Sequence, residues 1–202
     1  MCIRDSIKGG RSAGNFVNFN LALHVNDKTD SVLENRSILK DYYELPSEPV
    51  WINQTHSSIC IDASLTERVM EADASFTLNS GTVCSILTAD CLPVFVSKKD
   101  GTMVGVAHAG WKGLISGVIE NLIEAFGCSG EELVVHLGPA ISKNFFEVGV
   151  EIKKSYLSKN INFARSFSVY RDKHYLDLYD AAKVILESVS YTHLTLPTTP
   201  YV

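Results

Sequence analysis

A chain of 202 residues with 46% hydrophobic and 20% charged residues has the composition of an ordinary globular protein and the length of one domain. Its net charge of −5 comes without a Lys/Arg-rich block. This argues against nucleic acid as a partner, because phosphate neutralisation supplies most of the affinity of nucleic-acid-binding proteins. No apolar run approaches the roughly 20 residues that cross a bilayer, and the first residues lack the apolar core of a secretory signal. We therefore expect a cytoplasmic protein with no membrane partner.

The two ends of the chain differ in composition from the rest. Residues 1–6 read MCIRDS, and residues 189–202 are rich in Thr and Pro without a helical period. Both strings resemble translated vector or adapter sequence, and we expect them to be non-native. The sequence then predicts a single domain over residues 7–188, truncated at both ends.

The helices are predicted from apolar residues at helical spacing. Residues 29–44 predict an amphipathic helix capped near Thr29 or Asp30. Residues 114–126 predict a second, ended by Gly127 in the position that glycine favours after a helix. Residues 176–186 predict the last helix.

Apolar runs of strand length alternate with these helices. They cover residues 50–52, 83–88, 92–97, 102–107 and 133–137. Strands and helices intermix without a strict βαβ rhythm. The pattern therefore predicts an α/β (α+β) fold, a mixed-sheet sandwich with flanking helices.

The cysteines do not form a disulfide pattern. There are five, an odd number, at wide spacings and without a CxxC pair. Reduced thiols of a cytosolic protein fit this usage. Three of them, Cys60, Cys84 and Cys128, are interpreted as buried or incidental.

Three chemically active side chains stand where an apolar run gives way to a polar turn: His56, Cys91 and His108. Strand ends present side chains from a rigid support. Two imidazoles and one thiolate are a typical three-ligand set of catalytic zinc, with the fourth position left for water or substrate. From the residues alone an alternative stays open, in which Cys91 is a small buried side chain and the histidines belong to ordinary loops.

Five motifs in order resemble the YfiH/laccase-domain family. The two most specific are TADCLPV at residues 88–94 and HAGWKG at 108–113. Asn53-Gln54-Thr55-His56-Ser57 is similar to the family's Gln-x-His segment. The other two are Leu137-Gly138-Pro139-Ala140-Ile141, and the Asn-Leu and Asn-Arg elements near Asn20 and Arg36.

The resemblance implies a YfiH-like fold and a metal site made of His56, Cys91 and His108. It implies a zinc-dependent purine nucleoside phosphorylase that cleaves adenosine, inosine and methylthioadenosine with phosphate, and that also deaminates adenosine. Zinc is the predicted metal, although copper is attached to the family by older labels. Purine nucleoside and phosphate are the predicted partners, with a monomer or small homo-oligomer as the assembly.

The resemblance also suggests substrate contacts. Asn20 and Arg36 are predicted to face substrate, and Lys112 to hold phosphate beside the start of a helix. Asp90 is predicted to orient a ligand or accept a proton, with a structural turn as its alternative. Lys112 stands where Arg is commoner, and this keeps the charge but loses the planar fork that grips phosphate.

Other functions use the same residues. A cysteine hydrolase, peptidoglycan-related, would use Cys91 as nucleophile and His108 or His56 as base. A copper-dependent phenol oxidase would need more histidines than the six present. A non-enzymatic binding protein is a further alternative.

Overall fold

The computed structural model describes residues 9–65 and 69–189, together with the backbone of residues 194–195. Residues 1–6 and all of 190–202 except that pair, the greater part of the ends predicted to be non-native, lie outside the described residues. The chain divides into two compact units. One comprises residues 1–49 with 81–83, and the other comprises residues 50–80 with 84–202.

The first unit contains one long helix, α1 (Thr29–Tyr42). It begins at Thr29 as predicted, but Lys28 occupies the N-cap position and no side chain caps the helix. Val32 and Leu39 are buried, together with the polar Asn35 and Arg36. The buried amide of Asn35 donates to the Ser12 hydroxyl, which ties the segment before the helix to the helix itself.

The second unit is built on a six-stranded mixed sheet and a three-stranded sheet. The strands are β1 (Cys60–Asp62), β2 (Ala74–Thr77), β3 (Leu92–Lys98), β4 (Val104–Ala109), β5 (Leu133–Leu137), β6 (Glu147–Val148), β7 (Phe167–Tyr170), β8 (Lys173–Leu176) and β9 (Leu194–Thr195). The large sheet has the order β1-β2-β4-β3-β5-β9, and the small one β6-β8-β7. In the large sheet, β1 runs parallel to β2 and β9 runs parallel to β5. The three other pairs, β2–β4, β4–β3 and β3–β5, are antiparallel.

Within the described part of this unit there are four helices: α2 (Trp111–Ser116), α3 (Val118–Phe126), α4 (Val150–Lys159) and α5 (Leu178–Ser188). Short 3-10 turns lie at Gly14–Phe16, Leu23–Val25, Ala63–Leu65, Gly130–Glu132 and Ile161–Ser166. The apolar residues of the helix predicted over 114–126 are all buried: Leu114, Val118, Leu122 and Phe126. They form one core with strand residues such as Val94 and Val135. Among the described residues no helix is long and apolar enough to cross a bilayer. The α+β class with a mixed sheet and flanking helices is confirmed.

The predicted helix over residues 114–126 is wrong in its continuity. It consists of two helices that meet at Gly117, which has φ 98° and ends α2 in the left-handed conformation. Glycine adopts this conformation without steric cost, so the chain turns there. Gly127, at φ 58°, ends α3 as predicted.

The predicted strands at residues 50–52 and 83–88 are also wrong. Only one isolated bridge, Val50 to Cys84, joins these segments. The Gln54 side chain instead accepts a hydrogen bond from the Leu87 N–H at 2.7 Å and donates to the Leu87 carbonyl at 2.8 Å. An amide side chain thus satisfies backbone groups that a neighbouring strand would otherwise bind.

The register of the strands determines which strand ends lie next to each other. Ala74 pairs with Ala107 across β2 and β4, and Leu92 pairs with Ala109 across β3 and β4. Because both pairs are antiparallel, the end of β4 lies beside the beginnings of β2 and β3. The residues that flank these three strand ends therefore share one edge of the sheet.

Candidate metal centre

His56, Cys91 and His108 come together at this edge of the sheet. His108 lies on β4 and is only 5% exposed. Cys91 immediately precedes β3 and is half-buried. His56 lies in an exposed loop and has φ 59°, an uncommon conformation for a residue with a side chain.

One ligand atom from each of the three residues lies within 4.8 Å of the other two. The Cys91 Sγ is 3.8 Å from the His56 Nε2. The two imidazole rings are 4.7 Å apart between centroids, at an angle of 67°. The structure therefore brings together the three side chains that the sequence selected as metal ligands.

A fourth residue, Asp73, organises this centre. Its carboxylate is 0% exposed and accepts five hydrogen bonds. Oδ1 accepts from the His56 backbone N–H at 3.0 Å and from the His108 Nδ1 at 2.8 Å. Oδ2 accepts from the backbone N–H groups of Thr55 and Ser57, at 3.1 and 2.6 Å, and from the Ser57 hydroxyl at 2.7 Å.

The hydrogen bonds around Asp73 determine its protonation. Burial alone would raise the pKa of the Asp73 carboxyl, but the bonds from His108, Ser57 and Thr55 lower it to about 2. Burial likewise works against a charged His108, and its contacts with Asp73 and Cys91 overcome this and raise the pKa of the imidazole to about 9. Burial and the neighbouring His108 lower the pKa of His56. These values describe the centre without a metal ion.

Sequence reasoning missed Asp73. The only local signal is that this acid stands between Ala72 and Ala74, directly before β2, and a buried charged residue needs a partner. A histidine that binds a metal usually donates its second ring N–H to a carboxylate or carbonyl. No strand was predicted at residues 74–77, so Asp73 becomes visible as part of the centre only through the pairing of β2 with β4.

Gly110 leaves room for two of the three clustered side chains. A Cβ atom at this position would lie 2.8 Å from the Cys91 Sγ and 3.0 Å from the His56 Cδ2. Its φ of −73° is accessible to other residues, so the backbone conformation does not require glycine. The requirement is for space.

Lys112 lies in the first turn of α2 and is exposed. Its Nζ is 5.5 Å from the centroid of the Trp111 ring, and its charge contributes to the lowered pKa of His56. Lys112 thus acts electrostatically on His56, one of the three clustered side chains. Its role as a phosphate contact stays a prediction.

The segment that carries Cys91 is held by the loop at residues 138–141. The Gly138 N–H donates to the Pro93 carbonyl at 2.8 Å, and the Ile141 N–H donates to the Asp90 carbonyl at 2.9 Å. The main chain of Asp90 therefore helps to position Cys91. The residue is exposed, and the role of its side chain stays a prediction. Hydrogen bonds on both sides of Cys91 therefore locate this residue.

The 138–141 loop is supported in turn by Tyr179 of α5. The Tyr179 hydroxyl donates to the Gly138 carbonyl and accepts from the Ala140 N–H, both at 2.9 Å. Asp177 caps the helix by accepting from the Tyr179 N–H at 3.0 Å. A buried tyrosine thus connects the last helix to the loop that holds Cys91.

The predicted substrate residues Asn20 and Arg36 belong to the first unit. Arg36 is buried and donates from Nε and Nη2 to the Leu21 carbonyl at 3.0 and 2.8 Å. The Asn20 amide donates to the Asp27 carboxylate at 3.0 Å. Both side chains order the segment before α1, and their contact with substrate stays a prediction.

Two of the other cysteines are poor candidates for thiolate chemistry. Burial raises the pKa of Cys60 to about 12 and that of Cys84 to about 11. Both are half-buried, as is Cys128. Because the thiolate is the nucleophile and the metal ligand, these raised pKa values make Cys60 and Cys84 unreactive near neutral pH.

Comparison with known proteins places the chain in a family. A family model described as multi-copper polyphenol oxidoreductase laccase matches residues 3–195. The protein named purine nucleoside phosphorylase YfiH from Escherichia coli is 38% identical over 182 residues, which cover 90% of this chain and 75% of that protein. A purine nucleoside phosphorylase from Pseudomonas aeruginosa is 38% identical over 180 residues, covering 88% and 73% of the two chains.

Solved structures show the same fold. The crystal structure of Neisseria meningitidis protein NMB0706 has a TM-score of 0.88 at 35% identity, covering 95% of this chain and 79% of that one. That of the Bacillus licheniformis hypothetical protein YfiH has a TM-score of 0.83 at 22% identity, covering 94% and 78%. With a family model that spans nearly the whole chain, relatives at 38% identity and this shared fold, the chain belongs to the YfiH laccase-domain family.

Proposed function

We propose that this protein is a zinc-dependent purine nucleoside phosphorylase whose metal is held by His56, Cys91 and His108. The observation that carries the proposal is the convergence of these three ligand atoms within 4.8 Å. It is supported by relatives at 38% identity that are named purine nucleoside phosphorylase. Adenosine, inosine and methylthioadenosine are the proposed nucleosides.

The donor set fits a zinc ion. Atoms bound to one tetrahedral zinc at 2.0–2.3 Å stand roughly 3.3–3.8 Å apart. The Cys91 Sγ and His56 Nε2 are already 3.8 Å apart, and all three ligand atoms lie within 4.8 Å. Two imidazoles and one thiolate leave the fourth position of a tetrahedron open, as catalytic zinc sites do. A bound zinc ion supplies Lewis acidity and lowers the pKa of a coordinated water.

Phosphorolysis is the proposed main reaction. A phosphate oxygen forms a bond to C1′ of the ribose, the bond from C1′ to the purine nitrogen breaks, and the purine leaves with that electron pair and takes up a proton. Lys112 attracts the phosphate through its charge, and the exposed Asp90, next to Cys91 in the chain, is proposed to orient a ligand or accept a proton. Asn20 and Arg36 stay predicted nucleoside contacts. The products are ribose 1-phosphate and the free base.

Adenosine deamination is the proposed second reaction. Water adds to C6 of the purine and ammonia leaves, which converts adenosine to inosine. This reaction needs no phosphate, so the two activities are separated by omitting phosphate from the assay.

The test is metal content measured together with turnover. We expect about one zinc per chain in the wild-type protein, and loss of both zinc and ribose 1-phosphate production in Cys91→Ala. Cys128→Ala is the matched control, because it removes a half-buried thiol from the end of α3 rather than from the centre. A wild-type protein that contains zinc but releases no base from any purine nucleoside would refute the phosphorylase. Copper in place of zinc, with oxidation of a phenol, would favour the oxidase.

One observation favours a second candidate. Asp73, His108 and Cys91 also have the order of an acid, a base and a nucleophile, and the His56 Nε2 lies 3.8 Å from the Cys91 Sγ. A cysteine hydrolase would use this arrangement without metal. In chelator-treated buffer, a hydrolase retains its activity and loses it when iodoacetamide labels Cys91. A metallophosphorylase loses activity on chelation and regains it with zinc. Cys60 and Cys84 serve as internal controls, because their raised pKa values protect them from labelling.

A further inference from the structure

We infer that Asp73 is the positioning residue of the metal centre, and that this one carboxylate holds both histidines in the geometry that binds the metal. The inference rests on the proposed metal centre. It assigns a function to a residue outside the His-Cys-His set.

Oδ1 selects the tautomer of His108. An ionised carboxylate only accepts hydrogen bonds, so the 2.8 Å contact requires the proton of His108 to be on Nδ1. The lone pair of the neutral ring is then on Nε2. A metal can bind only at a nitrogen that carries a lone pair, so Asp73 makes Nε2 the ligand atom.

The backbone adds to this control. The His108 N–H donates to the Asp73 carbonyl at 2.7 Å, because Asp73 immediately precedes β2 and lies opposite His108 across the β2–β4 pair. Main chain and side chain of Asp73 thus both bind His108. The ring has little freedom to turn away from Cys91, and it is 5% exposed.

The loop that carries His56 wraps around the same carboxylate. Three consecutive backbone N–H groups, those of Thr55, His56 and Ser57, donate to it at 3.1, 3.0 and 2.6 Å. His56 has φ 59° in the middle of this arc. A non-glycine residue in this conformation carries a steric cost, and the hydrogen bonds to Asp73 offset it. The position of the His56 ring is therefore set through its main chain.

Asparagine cannot replace Asp73, although it has nearly the same shape. Two donors face Oδ1 and three face Oδ2. An amide NH2 group placed on either side would face N–H or O–H donors. On the Oδ1 side it would also favour the His108 tautomer with its proton on Nε2, which blocks the metal.

The test is the affinity of the 202-residue chain for Zn²⁺ alone, measured by competition with a chromophoric chelator. We expect Asp73→Asn to bind Zn²⁺ about 10–100-fold more weakly than wild type. Asp100→Asn is the matched control, because Asp100 also accepts a backbone N–H and a hydroxyl, both from Thr102, in a turn outside the centre. We expect this variant to bind Zn²⁺ as wild type does.

Two further measurements keep the inference falsifiable if Asp73→Asn does not fold. In the Zn²⁺-loaded wild type, long-range ¹H–¹⁵N spectra should show His108 protonated on Nδ1 and metal-bound through Nε2; the reverse assignment overturns the inference. Ser57→Ala removes one of the five hydrogen bonds that the Asp73 carboxylate accepts, and it should weaken Zn²⁺ binding about 2–5-fold. Unchanged affinity in this variant contradicts the proposed role of the arc.

The outcomes separate this inference from the proposed function. A folded Asp73→Asn with wild-type affinity for Zn²⁺ overturns the inference and leaves the phosphorylase standing. Weaker Zn²⁺ binding in a protein that cleaves no nucleoside supports the inference and refutes the phosphorylase. A purely structural role for Asp73 would lower the melting temperature without changing the Zn²⁺ affinity of the folded protein.

Discussion

The centre has two sides, which the protein builds in different ways. On the histidine side, a buried carboxylate binds the His108 ring and the His56 main chain directly. On the cysteine side, the 138–141 loop binds carbonyl groups before and after Cys91, and Tyr179 supports that loop. The first side depends on the charge of one side chain, and the second on backbone geometry.

This difference predicts different sensitivities. A change at Asp73 acts on two ligands at once and depends on protonation. A change in the 138–141 loop acts on Cys91 alone, and only indirectly, because the loop binds the carbonyl groups of Asp90 and Pro93 rather than Cys91 itself. The histidine side should therefore respond strongly to single substitutions and to acid, and the cysteine side should respond more weakly.

The largest effect should come from the residue that lies between the two sides. Gly110→Ala places a Cβ 2.8 Å from the Cys91 Sγ and 3.0 Å from the His56 Cδ2, so one ligand from each side has to move. We expect the Zn²⁺ affinity to fall about 100-fold, at the upper end of what disturbed ligand geometry causes. Chelator competition measures this loss.

Gly127→Ala is the glycine control for this variant. It disturbs the left-handed end of α3, where a Cβ would meet no atom within 4 Å, and lowers stability through its φ of 58°. If it reduces Zn²⁺ affinity as much as Gly110→Ala does, general destabilisation explains both results and the steric argument is wrong.

Acid should weaken the metal-free protein through the histidine side. The pKa of Asp73 is depressed in the folded state, from 3.8 to about 2. Its stabilisation is therefore complete above pH 4 and is lost as the pH falls towards 2. We expect this one group to remove about 2 kcal/mol from the free energy of unfolding, measured by urea denaturation between pH 5 and pH 2.

Asp73→Asn is the control for this measurement, because the asparagine side chain does not titrate between pH 2 and pH 5. The variant should be less stable than wild type at pH 5, and the difference between the two should shrink towards pH 2. A constant difference across the range would show that Asp73 does not titrate as its hydrogen bonds require.

The smallest effect should come from the cysteine side. Tyr179→Phe removes the hydroxyl that binds Gly138 and Ala140, so we expect stability to fall by about 1–3 kcal/mol. Because the change reaches Cys91 only through the loop, Zn²⁺ affinity should fall no more than about tenfold. The intensity of the thiolate-to-metal band in the Co²⁺-loaded protein reports on Cys91 directly.

Ser166→Ala is the control for Tyr179→Phe. The buried Ser166 hydroxyl donates at 2.8 Å to Asp180, which lies next to Tyr179 on α5, and it makes no contact with the 138–141 loop. It should reduce stability and leave the Co²⁺ spectrum unchanged. A Tyr179→Phe protein that loses more Zn²⁺ affinity than Asp73→Asn would reverse the proposed ranking of the two sides.

Much of this protein was predictable from local patterns. The apolar spacing of Leu114, Val118, Leu122 and Phe126 predicted a buried helical face, and all four residues are buried. The α+β class followed from the mixture of strand and helix signals. Local patterns failed where a single residue overrode them. Gly117 divides the helix that the spacing continued, and the Gln54 side chain binds Leu87 where the apolar run predicted a strand.

The sequence by itself determined the selection of His56, Cys91 and His108, because each stands at the end of an apolar run and within a motif that resembles one family. It also separated the buried helical faces from the polar turns. Residue type and spacing carry this information, since both act over a few residues.

Only the tertiary structure decided that Asp73 and Gly110 belong to the same centre. Asp73 is 35 residues from His108, and the two meet because β2 pairs with β4. Gly110 matters for the side chain that it lacks, in a space bounded by Cys91 and His56. Strand pairing and the packing of separate loops create these contacts, and no local pattern of residues records them.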